Sequence, residues 1–280
     1  MASSSQQIDV LGVEKIWKTT RGAGVRVAVL DTGVVPSDGL PASRVQAVGL
    51  DGGGAAPTAD MHGTFCGSLI GSEERDAEGV APEAKLLSIQ ITTASDSLAA
   101  ADVVRGLRLA LSLGCDVISC SFTLNRLGNS GADLADVVRQ AHLSGIPVLT
   151  AHGNVAGEAA PFPEEIQHAI AISSHTRSGR PQQVNFNQWT DAFCLGDQLT
   201  VLNAAGMTRT WAGKTSGATA LVAGVVALAL GAIPKSKRLK AGMAVEGLIK
   251  ATATNGGSQP DGSPVLLVNA KRLVDAVIDL

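Results

Sequence analysis

A carboxylate, an imidazole and a hydroxyl stand in small-residue surroundings at Asp31, His62 and Ser216. Asp31 ends the apolar run Val27-Ala28-Val29-Leu30 and is followed by Thr32-Gly33. His62 opens His62-Gly63-Thr64, after which Phe65, Cys66, Gly67, Ser68, Leu69 and Ile70 read as the first turns of a helix. Ser216 lies in Gly213-Lys214-Thr215-Ser216-Gly217-Ala218-Thr219-Ala220, which leads directly into an apolar stretch. Together these groups could supply a nucleophile, a base that takes its proton and an acid that orients the base, with helix N-terminal amides to receive developing negative charge. Each also has a plainer reading alone: a carboxylate ending a turn, a structural histidine, a serine capping a helix. His62 stands apart by its company, for His142 falls in a helical pattern and His168 and His175 flank a strand.

Two other chemistries fit less well. A dinucleotide cradle places glycines after the first strand, whereas Gly22 and Gly24 precede it. An Asp-Thr-Gly acid dyad needs a second such carboxylate and an all-β body, and the chain offers neither.

The elements that would hold these residues alternate. Val25 to Leu30, Lys85 to Ile91, Asp116 to Phe122, Ile146 to Ala151 and Ala169 to Ser173 read as strands that are apolar almost throughout. Between them, residues 97–113 repeat apolar positions at Leu98, Val103, Leu107 and Leu111 behind a polar Ser97 and stop at Gly114. Residues 133–144 do the same with Leu134, Val137, Val138 and Ala141, stopping at Gly145. Buried strands joined by helices of this length predict an α/β fold: a mainly parallel sheet covered by helices on both faces. Residues 218–233 are apolar throughout, but 16 residues fall short of the roughly 20 that span a bilayer. With Gly224 and Gly231 inside it, this stretch predicts a central core helix that neighbours cross closely, and no membrane partner. Gly52 to Gly54 and Asn255 to Gly257 read as surface loops, and Val265 to Asn269 and Ala270 to Ile278 as a last strand and a docking helix. No linker divides residues 1–280, so one domain is expected.

Composition narrows the function classes. The 280 residues are 45% hydrophobic and 17% charged, which excludes disorder. The net charge of −3 and the lack of a basic stripe argue against nucleic acid as a partner. Cys66, Cys115, Cys120 and Cys194 match no zinc spacing and are too few for a disulfide scaffold, so they read as reduced thiols. The polar start, Met1 to Ile8, has no secretory pattern, and the expected location is cytoplasmic. No metal and no cofactor is expected, and the oligomeric state is left open.

The order Asp31, His62, Ser216 is that of the subtilisins. With its D-T-G and H-G-T blocks and a partial match to G-T-S-x-A-T, the chain resembles the subtilisin-like serine proteases, or subtilases, from about Leu11 to Gly231. Val117 to Ser121 and Ala151-His152-Gly153-Asn154 resemble the family's substrate-cleft strand and its A-A-G-N segment. The resemblance implies a three-layer subtilisin-like fold. It makes Ser216 the nucleophile, His62 the general base and then acid, Asp31 its orienting carboxylate, and Asn154 with the Ser216 N–H the oxyanion donors. It also implies that an extended polypeptide lies between Thr92, Thr93, Ala94 and Ser95 on one side and Ser121, Phe122 and Thr123 on the other, with His152 and Gly153 beside the pocket. The family often carries an N-terminal pro-segment; nothing of that kind is expected before Leu11.

The family pattern breaks at Lys214, where glycine is usual, at Gly217 for methionine and at Ala220 for proline. Phe122-Thr123-Leu124 replaces a glycine-rich pocket wall, and His152 replaces a small residue. A cation at Lys214 and a titratable His152 would favour acidic substrate residues. The resemblance thus implies a serine endopeptidase working through an acyl-enzyme. A subtilase-like peptide ligase or macrocyclase and an inactive peptide-binding domain are the alternatives.

Overall fold

The computed structural model describes residues 5–56, 58–94, 98–182, 186–259 and 262–280. Its strands are β1 (Arg26–Asp31), β2 (Val45–Gly49), β3 (Lys85–Gln90), β4 (Val117–Cys120), β5 (Val148–Ala151), β6 (Ala169–His175), β7 (Ala192–Leu195), β8 (Leu199–Leu202), β9 (Thr208–Trp211), β10 (Thr254–Ser258) and β11 (Pro264–Leu267). Its helices are α1 (Gln6–Leu11), α2 (Val13–Ile16), α3 (His62–Gly71), α4 (Ala100–Ser112), α5 (Gly131–Leu143), α6 (Pro161–Glu164), α7 (Lys214–Gly231), α8 (Arg238–Thr252) and α9 (Ala270–Ile278).

Among the described residues, nine strands form one sheet in the order β10-β11-β7-β6-β5-β4-β1-β3-β2, parallel except between β10 and β11. The helices cover both faces, because every side chain of β1 after Arg26 is buried and successive residues point to opposite faces. Val27 and Val29 face a core built with α3, α7 and α9, while Ala28 and Leu30 face a second core built with α4 and α5. The fold is therefore the α/β three-layer arrangement expected from the sequence, a mainly parallel sheet covered on both faces. β1 lies between β3 and β4, so the chain leaves it toward one edge through β2 and β3 and returns to its other side as β4. Such a switch point opens a crevice beyond the strands' carboxyl ends, and Asp31 is the last residue of β1.

α7 is buried from Thr215 to Leu230. It is the one described helix long and apolar enough to cross a membrane, and 89% of that stretch is buried inside the protein. It is a core helix, with the close crossings its glycines implied. The glycine stops also hold, for Gly114 and Gly145 take positive φ of 74° and 69° after α4 and α5.

Some boundaries differ from expectation. α4 begins at Ala100, Ser97 lies outside the described residues, and its buried stripe runs Val103, Leu107, Ala110 while Leu111 is half-buried. Asn255 to Gly257 are not a free loop: they belong to β10, whose residues are all exposed at the sheet edge. α8 and the separate β8–β9 hairpin were not foreseen.

A methyl group is expected to be too much at Gly224. A Cβ there would stand 2.6 Å from Val80 Cβ, so Gly224→Ala should destabilise the protein by about 1–3 kcal/mol, as overpacked cores do. A urea titration should show a lowered midpoint at unchanged slope; an unchanged midpoint would mean that α7 is packed loosely.

Candidate active site

The carboxyl ends of β1, β4 and β5 converge on the first turn of α7. Asp31 closes β1, Ser121 follows β4, and Gly153 and Asn154 follow β5. The Asp31 side chain is fixed by the Thr32 N–H, which donates to Oδ1 at 2.7 Å. α3 starts at His62, whose own N–H donates to Asp60 Oδ1 at 2.8 Å. Its second residue must be glycine: a Cβ on Gly63 would fall 2.6 Å from the Gly33 carbonyl oxygen and 3.1 Å from Asp31 Cβ. That close approach brings His62 Nδ1 to 2.8 and 3.0 Å from the two Asp31 carboxylate oxygens. Donation from Nδ1 to the carboxylate leaves Nε2 as the basic nitrogen of the ring.

Ser216 is the third residue of α7 and is 5% exposed. Its hydroxyl donates to the Ser121 carbonyl at 2.8 Å, and the Ser121 hydroxyl returns a bond to the Ser216 carbonyl at 3.1 Å. The first-turn amides of α7 are distributed unevenly. Lys214 N–H donates to the Gly196 carbonyl at 2.8 Å and Thr215 N–H to Asn154 Oδ1 at 3.3 Å. Ser216 N–H has no partner among the described residues. Asn154 Oδ1 also accepts from the Thr215 hydroxyl at 2.9 Å, which turns its Nδ2 donor away from Thr215. Asp31, His62, Asn154 and Ser216 all line one cavity of about 550 Å3. A hydroxyl, an imidazole paired with a carboxylate, an amide side chain and a helix-start N–H thus border one cavity, a set able to serve acyl transfer.

Burial disfavours the charged form of His62, yet its interactions with Cys66 and with the Asp31 carboxylate, including the Asp31 hydrogen bond, outweigh burial and raise the pKa above the ordinary imidazole value. The Cys66 thiol lies 4.0 Å from Nδ1. Its own pKa is raised, chiefly by burial. Asp31, His62 and Cys66 hold their donor atoms within 4.8 Å of one another, the one such cluster among the described residues. With Asp31 and His62 bonded to each other and the thiol protonated, the arrangement is that of a hydrogen-bonded pair over a neutral thiol.

The flanking segments are met in part. Thr92, Ser121, Phe122, Thr123 and Gly153 line the cavity; Thr93 and Ala94 do not, and Ser95 lies outside the described residues. The Thr92 hydroxyl closes that turn, donating to the Ala94 carbonyl at 2.9 Å. His152 corrects an expectation: it is 0% exposed and lines no part of the cavity. Its Nδ1 faces Thr190 Oγ1 at 2.8 Å and its Nε2 faces Glu164 Oε1 at 2.9 Å. Glu164 Oε1 also accepts from Asn187 Nδ2 at 2.8 Å. His152 therefore ties the β5 end to α6 and to residues 187–190 and cannot meet a substrate. Leu98, read from the sequence only as an apolar helix position, and Arg126, not singled out at all, also line the cavity; neither carries a motif.

Comparison with known proteins assigns a family and a fold. The model of the subtilase (peptidase S8) family matches residues 22–265. Thermitase of Thermoactinomyces vulgaris is 28% identical over 221 residues, 76% of this chain and 77% of thermitase. Alkaline elastase YaB of Bacillus sp. (strain YaB) is 30% identical over 262 residues, 89% of this chain but 64% of that protein's length. MycP1 with its N-terminal propeptide removed superposes with TM-score 0.79 at 23% identity, covering 98% of each chain. The prenylagaramide maturation protease PagA superposes with TM-score 0.77 at 22% identity, covering 95% of this chain and 98% of its own. Both superpositions establish a shared fold.

The His152 pKa is lowered, first by burial, with Glu164 opposing. A depressed histidine resists the proton that the unfolded chain accepts, so its contribution to stability is present above about pH 6.5 and is lost as pH falls toward the folded pKa. His152→Gln should therefore show a shallower loss of stability from pH 6.5 to 5 than wild type, measured as urea midpoints. His168 and His175, also lowered, stay in both proteins and cancel. Identical slopes would show that His152 takes up its proton in the fold as readily as in the unfolded chain.

Proposed function

This chain belongs to the subtilase family, and we propose that it is a serine endopeptidase that cleaves polypeptides bound in extended form, through an acyl-enzyme. One observation carries the reading: the hydrogen-bonded Asp31–His62 pair, Ser216 with its unpartnered N–H, and Asn154 all line one cavity. The thermitase likeness supports the same reaction class.

In this reading the Ser216 hydroxyl leaves its resting acceptor, the Ser121 carbonyl, for His62 Nε2. Its oxygen attacks the scissile carbonyl carbon as Nε2 takes the proton, and Asp31 stabilises the imidazolium that results. The carbonyl oxygen becomes an oxyanion, received by Asn154 Nδ2 and the Ser216 N–H at the positive end of α7. When the C–N bond breaks, His62 returns the proton to the departing amine. Water then repeats the sequence against the ester, and Ser216 recovers its hydrogen. Preorganisation matters here because donors already aimed at the developing charge need no rearrangement during the reaction.

The cavity's apolar lining of Leu98, Ile91 and Phe122 and its rim Arg126, which has no ion pair among the described residues, support peptides that place an apolar side chain inside and a carboxylate at the rim. Lys214 is exposed and lines no part of it, so the expected acidic preference moves from Lys214 and His152 to Arg126. Four free, buried cysteines support a reducing, cytoplasmic setting. The fold shared with PagA keeps ligation as a second reading, in which an amine replaces water at the ester.

A fluorophosphonate probe should label wild type and not Ser216→Ala, and the mass of the products should show added water rather than a new peptide bond. Labelling of Ser216→Ala at the wild-type rate would sink the nucleophile assignment. Because the His62 pKa is raised and only the neutral ring can accept the Ser216 proton, kcat/KM should climb with pH along one ionisation centred above about 6.5. A flat profile from pH 5 to 9 would remove His62 as the base.

A further inference from the structure

His62 is touched by an aromatic ring that the reaction as described does not use. Trp211, the last residue of β9, meets the imidazole edge to face, with ring centroids 5.6 Å apart and planes at 88°. The indole also leans on Phe65 of α3, at 5.4 Å between centroids and 49° between planes. Beneath it runs the turn that carries Ser216. A Cβ on Gly213 would stand 2.9 Å from the indole Cε3, and one on Gly217 would stand 3.5 Å from Cζ3 and collide with Leu199. Gly213 and Gly217, on either side of Ser216 in the chain, thus lie against the indole, and a side chain at 217 would meet Leu199 first.

Trp211 is also held from behind. β9 pairs with β8, Trp211 opposite Leu199. β8 is clasped by Gln7 of α1, whose Nε2 donates to the Thr200 carbonyl at 2.9 Å and whose Oε1 accepts the Thr200 N–H at 3.1 Å. Leu202 N–H donates to Ser68 Oγ of α3 at 3.1 Å. A half-buried indole on so fixed a hairpin is a wall rather than a flap.

Trp211 does not line the 550 Å3 cavity, although His62 does. The ring therefore meets His62 outside the cavity bordered by the segments that would hold the acyl half of a peptide. We propose that Trp211 positions the His62 imidazole and forms the wall that receives the first residue of the leaving peptide, favouring an apolar side chain there. This rests on the protease reading of the site. The departing amine takes its proton from Nε2, and whichever molecule resolves the acyl-enzyme must deliver one to Nε2, so both pass the indole. An incoming amine R–NH2 bonds to the acyl carbon, the bond from that carbon to Ser216 Oγ breaks, and the amine's proton reaches Oγ by way of His62. The wall then biases which amine competes with water.

The test is an acyl-transfer assay on the full chain. A peptide methyl ester cleaved by wild type loads Ser216 while its methanol leaving group places no side chain on the wall. Phenylalaninamide and glycinamide then compete with water for the ester. Wild type should transfer to phenylalaninamide in preference to glycinamide, Trp211→Phe should keep most of that preference, and Trp211→Ala should lose about tenfold of it, the scale of one aromatic contact with its buried area. Trp211→Ala should also lower kcat for the ester with KM little changed, which a merely structural role would not do selectively. A second readout is independent of turnover. The chain has three tryptophans, and the difference in emission between wild type and Trp211→Phe should titrate with the midpoint of the kcat/KM profile, because a charged imidazole at the indole quenches it. Ester cleavage with the amide preference intact in Trp211→Ala would overturn this inference alone. A wild type that neither labels nor cleaves, with a pH-independent difference signal, would overturn both this and the protease reading.

Discussion

The site depends on a helix that the core leaves no freedom to move. α7 is buried along nearly its whole length, so its axis and its N-terminal end are set by packing against the sheet rather than by anything at the cleft. A buried helix start must satisfy its first amides. Here Gly196 takes the Lys214 N–H and Asn154 takes the Thr215 N–H, while the Ser216 N–H is left for whatever enters the cavity. That distribution fixes Asn154 as well, since the amide that holds its oxygen is the one preceding the free donor. The placements of Asn154 and Ser216 are therefore parts of a single constraint.

The imidazole is held by a different principle. It sits at the start of α3, where Gly63 lets the helix descend onto the Asp31-Thr32-Gly33 turn, and the contact is too close for any other residue. Asp31 orients the ring, Cys66 fills the space beside Nδ1 as a neutral body, and Trp211 meets the remaining face. The hydroxyl of Ser216 is bonded instead to the Ser121 carbonyl, and a hydroxyl hydrogen can turn to another acceptor.

The legible parts were those where a local rule and the tertiary answer coincide. An apolar run ending in Asp31 became a buried strand with its acid at the carboxyl edge, the small residues after His62 became a helix start, and the apolar run after Ser216 became the core helix. His152 was misread because what decides its role lies far along the chain: Thr190 and Glu164 make it a buried strut, and neither is marked by spacing. β9 escaped because its Thr208-Arg209-Thr210 is exposed and polar, with no apolar period to read. β10 escaped because paired glycines signal a turn, while its pairing with β11 is made through backbone groups that any residue supplies.

Lys214 shows how far the packing of this turn overrides local preference. It adopts φ 46°, a left-handed backbone that a lysine reaches only at a cost of about 1–2 kcal/mol. The family's usual glycine would adopt it freely. The conformation is nevertheless imposed from both sides. Lys214 N–H is bound by Gly196, and a Cβ on Gly196 would stand 2.5 Å from the Lys214 carbonyl oxygen. Gly213 and Gly217 lie under the indole and Leu199. With its neighbours so fixed, residue 214 has one backbone conformation available whatever its side chain, and the strain is carried by the global fold. The turn's shape is therefore a property of what surrounds it, which is why three departures from the family pattern, at 214, 217 and 220, leave Ser216 at the head of α7 and facing the cavity.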